Sequence, residues 1–283
     1  MAKLSFSNRL RMHLSLYVFV ALALSCTYIP DDNSLIKPQP RQENTDSTIE
    51  EMPEPIIATE IGGIPPPAGY QRTVSSPSSF GQYLRSVALI TDNDTVFQHD
   101  REPKSRQDVH HAILTIDVGT RDLQQCADAC MRLRGEYLFA QKRYDEIHFN
   151  FLRDNNPRYY KDHADNEHSY KSFRKYMDYI FSYANTASLR RELQSVSVED
   201  MQIGDIFIQQ GLPYGHAVIV VDMAENSEGE KIFMIAQSYM PAQDIHILKN
   251  FNNSSISPWY SVEFGDSLIT PQWDFYATDL KRF

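Results

Sequence analysis

The sequence predicts an α+β fold in which an antiparallel sheet packs against helices. Segments with helical periodicity dominate the first part of the folded region, and short apolar runs with strand character dominate its last part. The turn "ENSEGE" joins two of these runs as a hairpin, so the two neighbouring strands should be antiparallel. Helices early in the chain and antiparallel strands late in the chain are typical of α+β domains.

Three segments have the apolar spacing of amphipathic helices. They read "SPSSFGQYLRSVAL", with Ser78 or Ser79 as the N-cap, "DLQQCADACMRLRGEYLFAQK" and "SYKSFRKYMDYIFSYAN". The segments predicted as strands are "DTVFQHD", "HHAILTIDVG", "DIFIQQ", "HAVIVVDMA" and "KIFMIAQSYM", and two further apolar segments, "DIHILKN" and "WDFYATDL", close the chain. The third helix should bury Phe173, Tyr176, Met177, Ile180 and Phe181.

Residues 1–26 read as an export signal. Lys3, Arg9 and Arg11 precede "LSLYVFVALALSC", an apolar run too short to span a bilayer comfortably. The ending "ALSC" resembles a bacterial lipobox, and that resemblance implies acylation of Cys26. Acyl chains at Cys26 would anchor the protein to a membrane of the bacterial cell envelope, on the periplasmic or the surface side. A plain secretory signal and an uncleaved anchor are the alternatives.

The signal is followed by a polar tether and then by one folded domain. Residues 27–60 are rich in Pro, Asp, Glu, Asn and Gln, and we expect them to be disordered. The stretch "GGIPPPAGY" marks the boundary of a single domain over residues 61–283. The chain has a net charge of −10, which argues against nucleic acid as a partner because phosphate binding requires clustered Lys and Arg.

Two cysteines remain in the folded domain, Cys126 and Cys130. They lie four residues apart on one predicted helix, a spacing that suits disulfide geometry poorly, so we expect two free thiols. With Asp122 as the N-cap and Gln125 completing a capping box, Cys126 falls in the first helical turn. There the helix dipole favours a thiolate, and Cys130 lies one turn deeper. The alternative is that both thiols are core packing.

His216 stands at the start of the strongly apolar run "HAVIVVDMA". If the hairpin is symmetric, Gln237, Ser238 or Tyr239 lies beside it, and a slip of one residue changes which. By itself, a histidine at this position is typical of a strand end. His110–His111 and the segment Asp162–His168 lack metal-ligand spacing, so we expect no metal and no cofactor.

The order of these motifs resembles the papain-like cysteine hydrolases of the NlpC and CHAP type. The resemblance covers roughly residues 115–250 and depends on "QQC" at a helix start, "IGDIFI" and "GHAVIVV". It implies that Cys126 is the nucleophile, His216 the base and Gln237 the residue that orients the base. It also implies that Gln125 and the Cys126 amide receive the oxyanion.

Two features depart from the pattern of these hydrolases. The interval between Cys126 and Gly204 is long and contains extra helical sequence. "AQS" stands where CHAP domains tend to have Glu-x-Asn, so Gln237 supplies no charge, and Asp244 and His246 are alternative orienting residues.

The whole chain also resembles a family of uncharacterised bacterial lipoproteins, through "LQQCADACMRLRGEYL", "GHAVIVVDMA" and "AQSYMPAQDIHILKN". The two resemblances together imply a lipid-anchored cell-envelope protein that acts as a cysteine amidase or endopeptidase on peptidoglycan peptides. The alternative is a non-catalytic envelope protein that binds glycan, peptide or protein.

Overall fold

The computed structural model describes residues 57–164 and 168–283. The predicted signal, the lipidation site Cys26 and almost all of the predicted tether lie outside the described residues. The described residues belong to one structural unit, which spans residues 54–283. Across these two described ranges, no helix combines the length and the apolar character that a membrane crossing needs.

The predicted α+β class is confirmed. The helices are α1 Phe80–Arg85, α2 Cys126–Ala140, α3 Tyr170–Tyr183 and α4 Thr186–Glu192. The strands are β1 Tyr70–Arg72, β2 His110–Ile113, β3 His148–Asn150, β4 Pro157–Tyr159, β5 Gln194–Ser195, β6 Ile206–Gln209, β7 His216–Asn226, β8 Lys231–Gln237, β9 His246–Leu248, β10 Tyr260–Ser261, β11 Ser267–Ile269, β12 Asp274–Tyr276 and β13 Leu280–Arg282.

The main sheet of the described chain is antiparallel and has nine strands. Its order is β2-β9-β8-β7-β6-β13-β5, with β1 pairing with β7 and β10 pairing with β8. The pairs β3–β4 and β11–β12 form two small separate sheets. The longest strand, β7, lies near the middle and contacts β1, β6 and β8.

The predicted hairpin joins β7 to β8. The side chain of Asn226 accepts hydrogen bonds from the amides of Glu228 and Glu230, at 3.0 and 2.9 Å, and thereby closes the turn. A bulge between Val220 and Asp222 shifts the register by one residue, so that Ile219 pairs with Ala236. This register is what brings the end of β8 beside the start of β7.

The two faces of the sheet carry different cores. On β7, Ala217, Ile219 and Val221 pack into the core that contains α2 and α3. Val218 and Val220 point to the other face, where Leu268 and Phe275 of the β11–β12 hairpin cover the sheet. Since side chains alternate along a strand, His216 shares the second face with Val218 and Val220.

The helix predictions hold for α1 and α3. The Ser79 hydroxyl accepts a hydrogen bond from the Gln82 amide at 3.1 Å, which is the predicted N-cap of α1. The helix α3 begins at its own serine cap, Ser169. Its buried residues are those expected from the sequence: Phe173, Tyr176, Met177, Ile180 and Phe181.

Two local predictions are wrong. The N-cap of α2 is Gln125 and not Asp122, because the Asp122 carboxylate accepts hydrogen bonds from the Ala242 amide at 2.7 Å and from the Gln125 side chain at 2.9 Å. Asp122 therefore links the turn before α2 to the β8–β9 connection. The segment "DTVFQHD" forms only the isolated bridges Phe97–Pro103 and Gln98–Gln243, since its backbone pairs with loops.

Candidate active site

The Cys126 thiol lies against the start of β7. It is 3.9 Å from the Thr186 hydroxyl and 4.0 Å from the Gly215 carbonyl oxygen, and the Ala217 amide also contacts it. The sulfur therefore touches the backbone on both sides of His216. Gly215 lies close to the Gln209 carbonyl oxygen, and a Cβ at this position would be 2.3 Å from that oxygen.

Burial controls the protonation of both thiols, which are free as the sequence predicts. Burial raises the pKa of Cys126 to about 11, with a smaller contribution from Asp128, and the hydrogen bonds that lower the pKa do not offset this. The expectation of a partial thiolate at Cys126 is therefore wrong. Loss of solvation outweighs the position of Cys126 at a helix start. Burial also raises the pKa of Cys130, which donates to the Cys126 carbonyl at 3.5 Å.

The His216 ring lies in an aromatic pocket formed by Tyr239, Trp273 and Phe275. The ring centroids are 4.9, 5.5 and 5.9 Å away, and the residue is 2% exposed. Burial lowers the pKa of His216 to about 4. The imidazole is therefore neutral at pH 7, and one ring nitrogen donates while the other accepts.

Gln237 forms a hydrogen bond with the imidazole. Its Oε1 lies 2.8 Å from Nε2 of His216, and its Nε2 lies 2.9 Å from Oε1 of Gln272 and 3.3 Å from Nε2 of His246. His246 Nδ1 donates to the Asp244 carbonyl at 2.8 Å, so His246 Nε2 is an acceptor. The Gln237 amide nitrogen must then donate to His246, and its oxygen must accept from Nε2–H of His216. This leaves Nδ1 of His216 unprotonated, as a base requires.

The other residues considered as partners of His216 have different contacts. The Ser238 hydroxyl oxygen lies 3.0 and 2.8 Å from the carbonyl oxygens of Gln124 and Gln243, and its single O–H can donate to either. The Asp244 carboxylate accepts from the Phe97 amide at 2.9 Å. Tyr239 contacts His216 through its ring. His246 and His216 share Gln237 as a hydrogen-bond partner.

Lys104 completes this polar network. It is 5% exposed, and its Nζ donates to Oε1 of Gln272 at 2.6 Å and to Nε2 of His246 at 3.3 Å. It also lies over the Tyr239 ring, 5.5 Å from the centroid. Burial lowers the pKa of Lys104 to about 7, and its charge contributes to the lowered pKa of His216.

Sequence reasoning missed Lys104, Gln272 and Thr186. Lys104 and Gln272 lie in loops without regular periodicity, so no local pattern indicates them. Thr186 opens α4, inside the long interval that departs from the hydrolase pattern. The extra sequence thus contributes a direct contact to the thiol.

One cleft contains the residues that the sequence singled out. Gln125, Cys126 and His216 all line it, and its volume is about 480 Å³. Gln237 lies behind the His216 ring and is fully buried. A larger cavity of about 700 Å³ includes neither Cys126 nor His216, so the chemistry indicates the smaller one.

The thiol and the imidazole reach this cleft from different sides of the sheet. The helix α2 packs on one face, while the His216 ring packs on the other with Phe275. They meet at the end of the sheet, where β7 starts. Within the described residues, no hydrogen bond joins the Cys126 sulfur to the imidazole.

The sequence predicts no metal at His110–His111 or in the segment Asp162–His168. Nε2 of His110 lies 2.6 Å from the Asp94 carbonyl oxygen, and part of the segment Asp162–His168 falls outside the described residues. Among residues 57–164 and 168–283, no three His, Cys, Asp or Glu side chains form a group that could hold a metal ion.

The fold and this site define an α+β domain with a cysteine, a histidine and a glutamine gathered at one end of an antiparallel sheet. The chain belongs to the family described as "Domain of unknown function (4846)", which matches residues 62–282. Neither a curated protein nor a solved structure matches the chain.

Proposed function

We propose that this protein is a lipid-anchored cysteine amidase or endopeptidase of the bacterial cell envelope that cleaves peptidoglycan peptides. The proposal includes an NlpC- or CHAP-like core. One observation carries it: Cys126 and His216 line the same cleft, while Gln237 holds Nε2 of the imidazole at 2.8 Å. This is the set of roles that a thiol hydrolase needs, namely a nucleophile, a base and a group that orients the base.

The reaction would begin from the neutral pair. As the Cys126 sulfur bonds to the substrate carbonyl carbon, Nδ1 of His216 takes the thiol proton. The imidazolium then gives that proton to the leaving amine as the C–N bond breaks, which leaves a thioester on Cys126. A water molecule, deprotonated by His216, attacks the thioester and releases the carboxylic acid and the free thiol.

The negative oxygen of each tetrahedral intermediate needs hydrogen-bond donors. Cys126 is the first residue of α2, so its backbone amide has no partner within the helix. The Gln125 side chain lines the cleft, and Asp122 holds its amide nitrogen at 2.9 Å. We assign these two groups to the oxyanion site.

The second candidate is a non-catalytic protein that uses the cleft to bind glycan, peptide or another protein. The pKa directions favour it, because burial raises the pKa of Cys126 to about 11 and lowers that of His216 to about 4. Both shifts disfavour a resting thiolate–imidazolium pair at neutral pH.

The test is hydrolysis of soluble peptidoglycan fragments by the purified processed protein, followed by mass spectrometry of the released peptides. Cys126→Ala should abolish cleavage. Cys130→Ala is the matched control, because it removes a buried thiol one turn away and should retain cleavage. Fragments that stay intact with the wild-type protein, or equal cleavage by Cys126→Ala, would remove the hydrolase assignment and favour the binding protein.

A further inference from the structure

The rim of the Cys126 cleft is apolar and exposed. Four large apolar side chains that line it remain in solvent: Leu212 is 97% exposed, Tyr214 59%, Leu152 42% and Met240 40%. They come from three separate connections, between β3 and β4, between β6 and β7, and between β8 and β9. Segments this distant in the chain bring their exposed apolar groups to the rim of one cleft.

In the β6–β7 connection, a tightly folded backbone carries the apolar side chains of Leu212 and Tyr214. A Cβ at Gly211 would lie 2.0 Å from the Tyr214 carbonyl oxygen, so the loop folds back on itself at this glycine. The second glycine of the loop, Gly215, is equally constrained by the Gln209 carbonyl oxygen. Leu212 is thereby directed into solvent at the mouth of the cleft, where it contributes nothing to the core.

The lining of the cleft carries almost no charge. It contains no Lys, Arg or Glu, and its single carboxyl group belongs to Asp128. Burial raises the pKa of Asp128 well above its usual range, which favours the uncharged form. The larger cavity of about 700 Å³ differs sharply, because its lining includes Arg134, Glu199, Asp200, Asp205, Glu225, Lys231 and Arg282.

We propose that the cleft selects a substrate whose group next to the bond that Cys126 attacks is uncharged and apolar. The position of this group next to the attacked bond depends on the proposed hydrolase function. A charged side chain entering the cleft would lose solvation and find no ionic partner, which is costly. An apolar side chain would instead cover Leu212 and Tyr214 and remove apolar surface from water.

The test is direct binding, with the fluorescence of Trp273 as the reporter. Trp273 lines the cleft, whereas Trp259, the other tryptophan of the chain, is 1% exposed. The probes are three N-acetylated tripeptide amides, Ala-Leu-Ala, Ala-Glu-Ala and Ala-Lys-Ala, added to the Cys126→Ala protein so that none is consumed. The leucine peptide should bind at least about tenfold more tightly than either charged peptide. The Trp273→Phe protein should lose the signal.

A pair of matched variants tests whether the rim of the Cys126 cleft determines the selectivity for apolar peptides. Leu212→Asp should reduce binding of the leucine peptide at least about tenfold, because it puts a charge where apolar contact is needed. Val74→Asp is the control, since Val74 is 102% exposed and lines only the larger cavity. That variant should bind as tightly as the unsubstituted Cys126→Ala protein.

Equal binding of the charged peptides, no binding of the leucine peptide, or an unchanged affinity in Leu212→Asp would overturn the inference. The proposed hydrolase function fails by a different result, the absence of turnover by the wild-type protein. Selective binding of the leucine peptide without turnover would leave the apolar selectivity in place and remove the hydrolase function.

Discussion

Nε2 of His216 and Oε1 of Gln237 lie 2.8 Å apart, and this single contact decides which imidazole nitrogen can act as a base. If the Gln237 amide were flipped, its nitrogen would face Nε2–H of His216 and its oxygen would face Oε1 of Gln272. Neither hydrogen bond could then form. An uncharged side chain thus orients the imidazole, but it adds no electrostatic stabilisation to an imidazolium.

Replacing the neutral amide with a carboxylate should change the titration of the imidazole. In Gln237→Glu, the negative charge beside His216 favours the protonated ring, so the pKa of His216 should rise from about 4 by at least one unit. NMR titration of the His216 ring measures this. Gln243→Glu is the control, because Gln243 is buried nearby and its side chain donates to the Pro241 carbonyl. An unchanged titration in Gln237→Glu would show that the observed contact does not govern the ring.

The reactivity of the two thiols should follow burial. Since the pKa of Cys126 is raised to about 11, alkylation by iodoacetamide at pH 7 should be on the order of a hundredfold slower than for a free cysteine and should accelerate up to that pH. Cys130 should react more slowly still until the protein unfolds. Mass-spectrometric labelling rates, with Cys126→Ala used to assign the peptide, measure both. Rapid labelling of Cys126 at pH 6 would contradict the neutral pair.

Lys104 should make the stability depend on pH above neutrality. Its pKa is about 7 in the folded state against an ordinary 10.5, so between these values the unfolded chain binds more protons. The stability that Lys104 contributes is therefore fully present above pH 10.5 and is lost as the pH falls from 10.5 to about 7. The free energy of unfolding decreases by at most about 1.4 kcal/mol per pH unit in this interval.

Urea unfolding across this range tests the contribution of Lys104. Lys104→Met should flatten the profile, because the methionine fills similar space without a charge. Lys175→Met, which changes an exposed lysine of α3, should keep the wild-type pH dependence. Parallel profiles for all three proteins would show that Lys104 is not the cause.

Asp222 should be the most costly carboxylate to neutralise. It is fully buried in β7 and pairs with Arg72 at 2.7 Å and Arg85 at 2.6 Å, which ties α1 and β1 to the sheet. Asp222→Asn leaves two cations without their counter-charge and should cost about 3–5 kcal/mol in urea unfolding. Asp178→Asn removes an exposed partner of Arg121 and should cost less than about 1 kcal/mol. Similar losses in the two variants would contradict this ranking.

The proposed lipid anchor depends on Cys26. Cys26→Ser should abolish incorporation of labelled fatty acid and leave the precursor unprocessed, because serine has no thiol for the acyl-glycerol transfer. Metabolic labelling and the mass of the membrane-fraction protein measure this, and Cys130→Ser controls for nonspecific acylation of another cysteine. A labelled and normally processed Cys26→Ser protein would show that Cys26 is not the acylated residue.

Much of the fold could be read from local patterns. The N-cap of α1 and the apolar spacing of α3 depend on neighbours within one helix, and the buried residues of α3 were predicted correctly. The β7–β8 hairpin was also predicted, because its turn residues and apolar runs are contiguous in the chain. The start of α2 was misplaced, since the Ala242 amide that engages Asp122 lies on a distant loop.

The sequence by itself determined the α+β class, the two free thiols and the pairing of β7 with β8, because each depends on residues close together in the chain. Tertiary structure alone decided how the site is assembled. The bulge in β7 selected Gln237 as the partner of His216, and distant loops supplied Lys104 and Gln272. Burial, which no local pattern encodes, then raised the pKa of Cys126 and lowered that of His216, because a charged group loses more solvation than a neutral one when water is excluded.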